Sequence, residues 1–245
     1  MTTSHTPEPV DDTGSDHDDA PRDLRSYGRR RGRKLSERQS RLMRELLPRL
    51  SPDLAAPSPA RAADLFGGRV DEVWLEIGFG GGEHLVWQAR NRPDVGLIGC
   101  EPFEDGVVKV LAAVEDDGLA NVRVHADDAR AILRWLPDAS ISRVFVLFPD
   151  PWPKARHRKR RLVNPATLAE IARVLVKGGE LRLGTDIGDY ARTMLVALQG
   201  TPGLAWMATC AADWRHRPGD WPQTRYEQKA LREGRRCIYL RYQRI

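Results

Sequence analysis

Cysteine is scarce in this chain of 245 residues. Cys100, Cys210 and Cys237 stand far apart and form no CxxC pair. That spacing excludes a disulfide framework and a zinc-ligand set, so no metal is expected. It fits small core residues in a reducing, cytoplasmic setting. No apolar run approaches the length of a membrane span, and no membrane partner is expected. The chain does not open with a basic stretch followed by an apolar segment, which argues against a secretory signal. There is no internal repeat. A hydrophobic share of 41% is ordinary for one sizeable core.

What is present in excess is clustered positive charge. The net charge of +5 averages over an acidic beginning, an arginine-rich stretch from Arg25 to Arg49, and a second block from Lys154 to Arg161. Charge blocks alone are often plain solvated surface, but two of them flanking a core with catalytic features point to a polyanion such as RNA or DNA. Residues 1–23 lack hydrophobic periodicity and are expected to form a disordered acidic tail. Residues 24–60 read as a basic arm followed by a short helix from Ser36 to Leu50, and 61–245 as the main domain.

From Val73 onward strand and helix patterns alternate. Strands are expected at 73–77, 95–100, 121–125, 144–148 and 180–184. Helices are expected at 82–90, 104–115, 129–136, from Asn164–Pro165 through Val176 with Gly178–Gly179 as its stop, and at 189–198. Segments 204–210 and 236–242 read as a closing antiparallel pair around a long insertion, 211–235. The class is α/β, a mainly parallel sheet with helices on both faces and an antiparallel C-terminal edge.

Three acids follow strands of this pattern. Glu76 precedes a glycine-rich turn, Gly78-Phe79-Gly80-Gly81-Gly82, in which Gly78 and Gly80 permit close approach of a ligand. A carboxylate inside a strand is costly without a partner. Glu101 ends the second strand, where an acid grips ribose hydroxyls, and Asp128 follows the third, with Asp127 as the less favoured neighbour. The G-x-G-G-G turn departs from the dinucleotide spacing, and an acidic lining suits a cationic ligand carrying a sulfonium and an ammonium better than a pyrophosphate. The fourth strand stops at Phe148-Pro149-Asp150-Pro151-Trp152-Pro153-Lys154. There a carboxylate able to hold a base edge and an indole able to stack stand before a run of cations.

On these residues the chain resembles the bacterial single-chain tRNA (guanine-N7-)-methyltransferases. The matching segments are Leu75–Gly82, Phe148–Lys154, Lys159–Val163, Thr185-Asp186 with Asp189-Tyr190, and Thr224–Glu227. The resemblance implies a Rossmann-like class I methyltransferase fold with a seven-stranded sheet, S-adenosylmethionine as donor, and guanine 46 of the tRNA variable loop as target. It implies donor contacts at Glu76, Gly78, Gly80, Glu101, Asp128 and Asp150, with Asp150 also the active-site acid. It further implies substrate contacts at Lys154, Asp186, Thr224, Arg225, Tyr226 and Glu227, and RNA contacts at Arg156, His157, Arg158, Lys159, Arg160 and Arg161. On spacing alone Thr224 and Glu227 equally fit a helix-starting capping box, and Asp186 fits a helix cap. No obligatory protein partner is expected, and the sequence leaves monomer and homodimer open. The alternatives are a methyltransferase of the same class acting on another RNA, and a non-catalytic RNA-binding protein on the same scaffold.

Overall fold

The computed structural model describes residues 30–32 and 34–245. The expected acidic tail, and most of the basic arm before Arg30, lie outside the described residues. Seven strands form one sheet in the order β3-β2-β1-β4-β5-β7-β6. They are β1 (Glu72–Ile77), β2 (Val95–Cys100), β3 (Val122–His125), β4 (Ile141–Leu147), β5 (Leu175–Thr185), β6 (Leu204–Trp206) and β7 (Ile238–Arg244). The first five run parallel, and β7 lies antiparallel between β5 and β6.

Strand alternation sends successive side chains to opposite faces and so builds two cores. Val73, Leu75, Ile77, Val144, Val146, Leu181 and Leu183 face α5 (Ala129–Trp135), α6 (Pro165–Val174) and α7 (Gly188–Gln199). Trp74, Leu97, Phe145, Leu147 and Tyr239 face α3 (Glu83–Asn91), α4 (Glu104–Asp117) and Ala230 of α9 (Arg225–Arg232). The chain winds outward from β1 to β3 and returns to place β4 on the other side of β1. That reversal opens a crevice at the carboxyl ends of β1 and β4, the place where open α/β sheets bind ligands.

Three elements depart from the sequence reading for identifiable reasons. The helix before β5 ends at Val174, not Val176, because Leu175 is already extended and pairs with Ile141. Gly178 and Gly179 therefore do not stop a helix. They form a kink in β5, where Gly178 has φ of +83° and the pairing register shifts between Ile141 and Arg143. Strand β6 ends at Trp206 because Asp213 Oδ2 accepts the amides of Thr209 and Cys210 and turns the chain into α8 (Ala212–Arg215).

The third departure is at the N-terminal side. Ser36 caps the expected helix, accepting from the Gln39 amide while the Gln39 side chain accepts from the Ser36 amide. The helix then passes from α1 (Glu37–Arg41) through a π-turn at Leu42–Leu46 into α2 (Leu47–Leu50). Pro48 lacks an N–H and would crowd the preceding turn of a regular helix, and the wider turn relieves that crowding. Leu42 is fully buried here, and Arg38 and Arg41 pair with Glu115 and Asp116 of α4. Part of the basic stretch thus docks on the protein itself.

Candidate active site

The crevice at the switch point is a cavity of about 390 Å³. Its wall comes from the ends of β1 to β4, the loop after β4, and the start of α9. Glu101, Asp127, Asp128 and Asp150 line it, with Gly78 and Gly80 on the glycine turn and Arg225 and Tyr226 packed against that turn. Lys109, Arg130, Lys159, Arg160, Arg161 and Arg225 share that lining, but Arg130 pairs with Asp128, Arg30 with Asp127 and Arg225 with Glu83. Glu101 and Asp150 are thus the lining carboxylates without an ion pair among the described residues and the ones open to a cationic ligand.

The glycine turn is shaped by backbone need. Gly78, Gly80 and Gly82 all have positive φ, and open space lies beside the Cα of Gly78. Gly106 was not singled out in the sequence, yet it decides the local packing. A methyl group there would stand 2.1 Å from the Gly80 carbonyl oxygen, so only glycine lets α4 close against the turn. A glycine inside an otherwise apolar helical pattern was the available signal.

Glu101 is buried, and its two oxygens accept the amides of Gly80 (2.8 Å) and Phe103 (2.9 Å). Burial raises its carboxyl above the usual range. The two amides oppose that shift, while the charges of Asp150 and Glu76 add to it. Burial also tends to raise Asp128, but the Arg130 side chain and amide outweigh it and hold the carboxyl low. Asp128 caps α5 through that amide at 2.9 Å. Asp127 binds Arg30 at 2.5 Å, and the Arg30 carbonyl accepts the Glu104 amide. The first described residue of the basic arm therefore sits at the rim beside these acids.

Asp150 stands exposed to the cavity at the tip of the proline loop, yet the surrounding protein desolvates it enough to raise its carboxyl. The loop is conformationally costly. Phe148 and Trp152 both hold positive φ, at 52° and 41°, which non-glycine residues rarely adopt. Tyr226 points into the same cavity; burial raises its hydroxyl, with the charges of Glu101 and Asp150 adding.

Several expected site residues stand elsewhere. Glu76 turns away from the cavity and pairs with buried His84, its carboxylate 2.7 Å from Nδ1. Gln88 donates from Nε2 both to His84 Nε2 and to the Asp220 carbonyl, which leaves His84 Nδ1 as the donor to Glu76. The partner that a carboxylate in a strand needs is thus one turn into the next helix. Asp186 pairs with Arg235 at 2.6 Å. Thr224 is a buried N-cap of α9, and Glu227, in the first turn of that helix, is buried and accepts from Tyr239 (2.7 Å) and Arg217 (3.1 Å).

The basic block after the loop is divided. Lys154 caps a short 3₁₀ segment, Ala155–Arg160, with Arg156 and Lys159 on the surface. Lys159, Arg160 and Arg161 reach the cavity wall, and Arg160 lies 5.0 Å over the Trp152 ring. The imidazole of His157 is lowered by desolvation and by the cations Arg160, Arg156 and Lys154. Arg158 pairs with Asp189 at 3.1 Å, and Arg161 is buried.

Residues 71–240 match the family described as "Putative methyltransferase". The fold is similar to that of a 16S rRNA methyltransferase, KamB, with a TM-score of 0.54 at 16% identity, covering 77% of this chain and 95% of that one. By fold and family, then, this is a methyltransferase that draws on a methyl donor. Proteins named tRNA (guanine-N(7)-)-methyltransferase match along most of their length. That of Chelativorans sp. is 50% identical over 89% of this chain and 94% of its own. That of Nitrobacter hamburgensis is 50% identical over 89% and 86%, and that of Rhodospirillum rubrum 48% over 91% and 88%. The chain belongs to the tRNA (guanine-N(7)-)-methyltransferase family.

Proposed function

We propose that this protein transfers a methyl group from S-adenosylmethionine to N7 of guanine 46 in the variable loop of tRNA. The observation that carries this reading is the acid-lined cavity at the switch point, with the rigid Asp150 loop on one wall and cations beside it. The donor set fits S-adenosylmethionine: Glu101 is held by two amides for a ribose diol, Asp128 stands at the adenine end, and Glu101 and Asp150, which have no ion pair among the described residues, match a sulfonium and an ammonium. Gly78 and Gly80 leave room along the turn. When bound, the donor supplies an electrophilic methyl group and leaves as a neutral thioether.

Guanine N7 already offers its lone pair, so no residue has to remove a proton before attack. Catalysis by this chain is then chiefly orientation of the base in line with the methyl group. Asp150 accepts hydrogen bonds from the guanine N1 and N2 donors and offsets the positive charge that grows on the ring. Tyr226, packed against the glycine turn, is placed to confine the base, and Arg225 beside it pairs with Glu83. Lys154, Arg156, His157, Lys159 and Arg160 offer the phosphate-binding rim, while Thr224 and Glu227 hold the start of α9 that carries Arg225 and Tyr226, and Asp186 acts through its pair with Arg235. Glu76 acts on the donor through the turn that it and His84 hold. The setting proposed is the cytoplasm, with tRNA as the partner.

The test is transfer of labelled methyl groups to unmodified tRNA, with the product cleaved by borohydride and aniline. A single cleavage at guanine 46 is the expected result. Label at another base atom would point to a different RNA-modifying activity, and no label with intact RNA binding would point to a binding protein.

A further inference from the structure

The end of the basic block does something different from the rest of it. Arg161 has 2% of its surface exposed, although it closes a run in which Lys154, Arg156, Arg158 and Lys159 are exposed. Each of its three guanidinium nitrogens donates a hydrogen bond. Nε donates to the Pro151 carbonyl at 2.9 Å, one Nη to Thr193 Oγ1 at 2.6 Å, and the other to Asp189 Oδ2 at 2.5 Å. The group also lies 4.7 Å over the ring of Tyr190, which is itself buried and accepts the Val163 amide. Three of these partners, Asp189, Tyr190 and Thr193, belong to one end of α7. The fourth, Pro151, directly follows Asp150.

The loop needs such a hold. The Phe148 amide ties its start to the Gly184 carbonyl at 2.7 Å, but Pro149, Pro151 and Pro153 have no N–H to give, so the segment beyond has few amides of its own to tie it down. Phe148 and Trp152 sit in a strained region of backbone space, which persists only where neighbours enforce it. A planar fork with donors in fixed directions can grip a carbonyl, a hydroxyl and a carboxylate at once, and a lysine cannot.

We propose that Arg161 is a positioning residue: braced on α7, it clamps the carbonyl beside Asp150 and so sets where that carboxylate meets the guanine, instead of binding RNA. This rests on the reading of Asp150 as the group that holds the substrate base.

Arg161→Lys keeps the positive charge and loses the fork. It should lower kcat about 10- to 100-fold, the scale of a small misplacement at the reacting centre, with KM for tRNA within about twofold of the parent and an unaltered salt slope. Asp189→Asn removes charge of the opposite sign, and Thr193→Val removes one hydrogen bond. Both should lower kcat in the same direction, and Arg161→Lys combined with Asp189→Asn should fall short of the product of the two losses. Arg156→Gln with Lys159→Gln should instead raise KM and flatten the salt slope. Melting curves identify any unfolded variant, and Thr193→Val, the mildest change, then decides. Parent-like kcat in Arg161→Lys or in Thr193→Val, or a KM and salt-slope effect from Arg161→Gln that Arg161→Lys restores, overturns the clamp. Asp150→Asn is measured alongside. Normal turnover by that variant overturns both readings, whereas an inactive Asp150→Asn beside a fully active Arg161→Lys overturns the clamp alone.

Discussion

Asp150 is expensive to keep. Surrounding protein desolvates it, its loop holds two non-glycine residues at positive φ, and its carboxyl is raised above the usual aspartate range. A carboxyl raised in the folded state favours folding while protonated. That contribution is full below the unfolded value of about 3.9 and disappears as pH rises through the folded value. At neutral pH the ionised side chain therefore works against stability. Asp150→Asn should abolish methyl transfer, leave tRNA affinity nearly unchanged, and melt at or above the parent temperature at pH 7. In the parent, kcat at saturating donor should fall on acidification with a midpoint above the ordinary aspartate value. A melting temperature well below the parent at pH 7 would show that the carboxylate is structural.

Elements place these residues, and α9 illustrates how. Thr224 accepts the Glu227 amide at 3.3 Å and starts the helix whose first two residues, Arg225 and Tyr226, line the cavity. Losing an N-cap costs about 1 kcal/mol of helix stability. Thr224→Ala should loosen α9 and reduce kcat/KM several-fold, while Thr224→Ser, which retains the oxygen, should stay close to the parent. Equal loss in both variants would mean that the methyl group, not the cap, is what matters. The capping-box spacing was legible in the sequence. What it could not reveal was that Glu227 would reach down to Tyr239 and Arg217, since those contacts span 10 to 12 residues and depend on β7 lying under the helix. The reading of Gly178–Gly179 as a helix stop failed for a related reason: two glycines favour a left-handed turn in either setting, and pairing with β4 decides which one forms.

On the scale of the whole molecule, charge is partitioned between fold and partner. Arg38 and Arg41 are occupied by α4, Arg30 by Asp127, and Arg158 and Arg161 by α7. Among the described residues of the two basic blocks, fewer cations remain for RNA than the composition suggests. The logarithm of tRNA affinity should fall linearly with the logarithm of salt concentration, and Arg156→Gln with Lys159→Gln should reduce that slope by about 0.7–0.9 for each phosphate no longer neutralised. Arg38→Gln with Arg41→Gln should leave the slope alone. A flatter slope from the second pair would place those arginines on the RNA.

The sequence by itself determined the alternating strand and helix order, the glycine turn, the acids at successive strand ends and the proline loop. These are local features, written in periodicity and in the fixed torsions of proline and glycine. Only the tertiary structure decided which like-charged residues serve the fold and which face the cavity. A side chain's environment is set by segments distant in sequence: Glu76 was claimed by His84, Arg161 by Asp189 and Thr193, and Gly106 by the carbonyl of Gly80. Local pattern carries no record of those encounters, because the free energy that fixes them comes from contacts formed only when the sheet closes around its switch point.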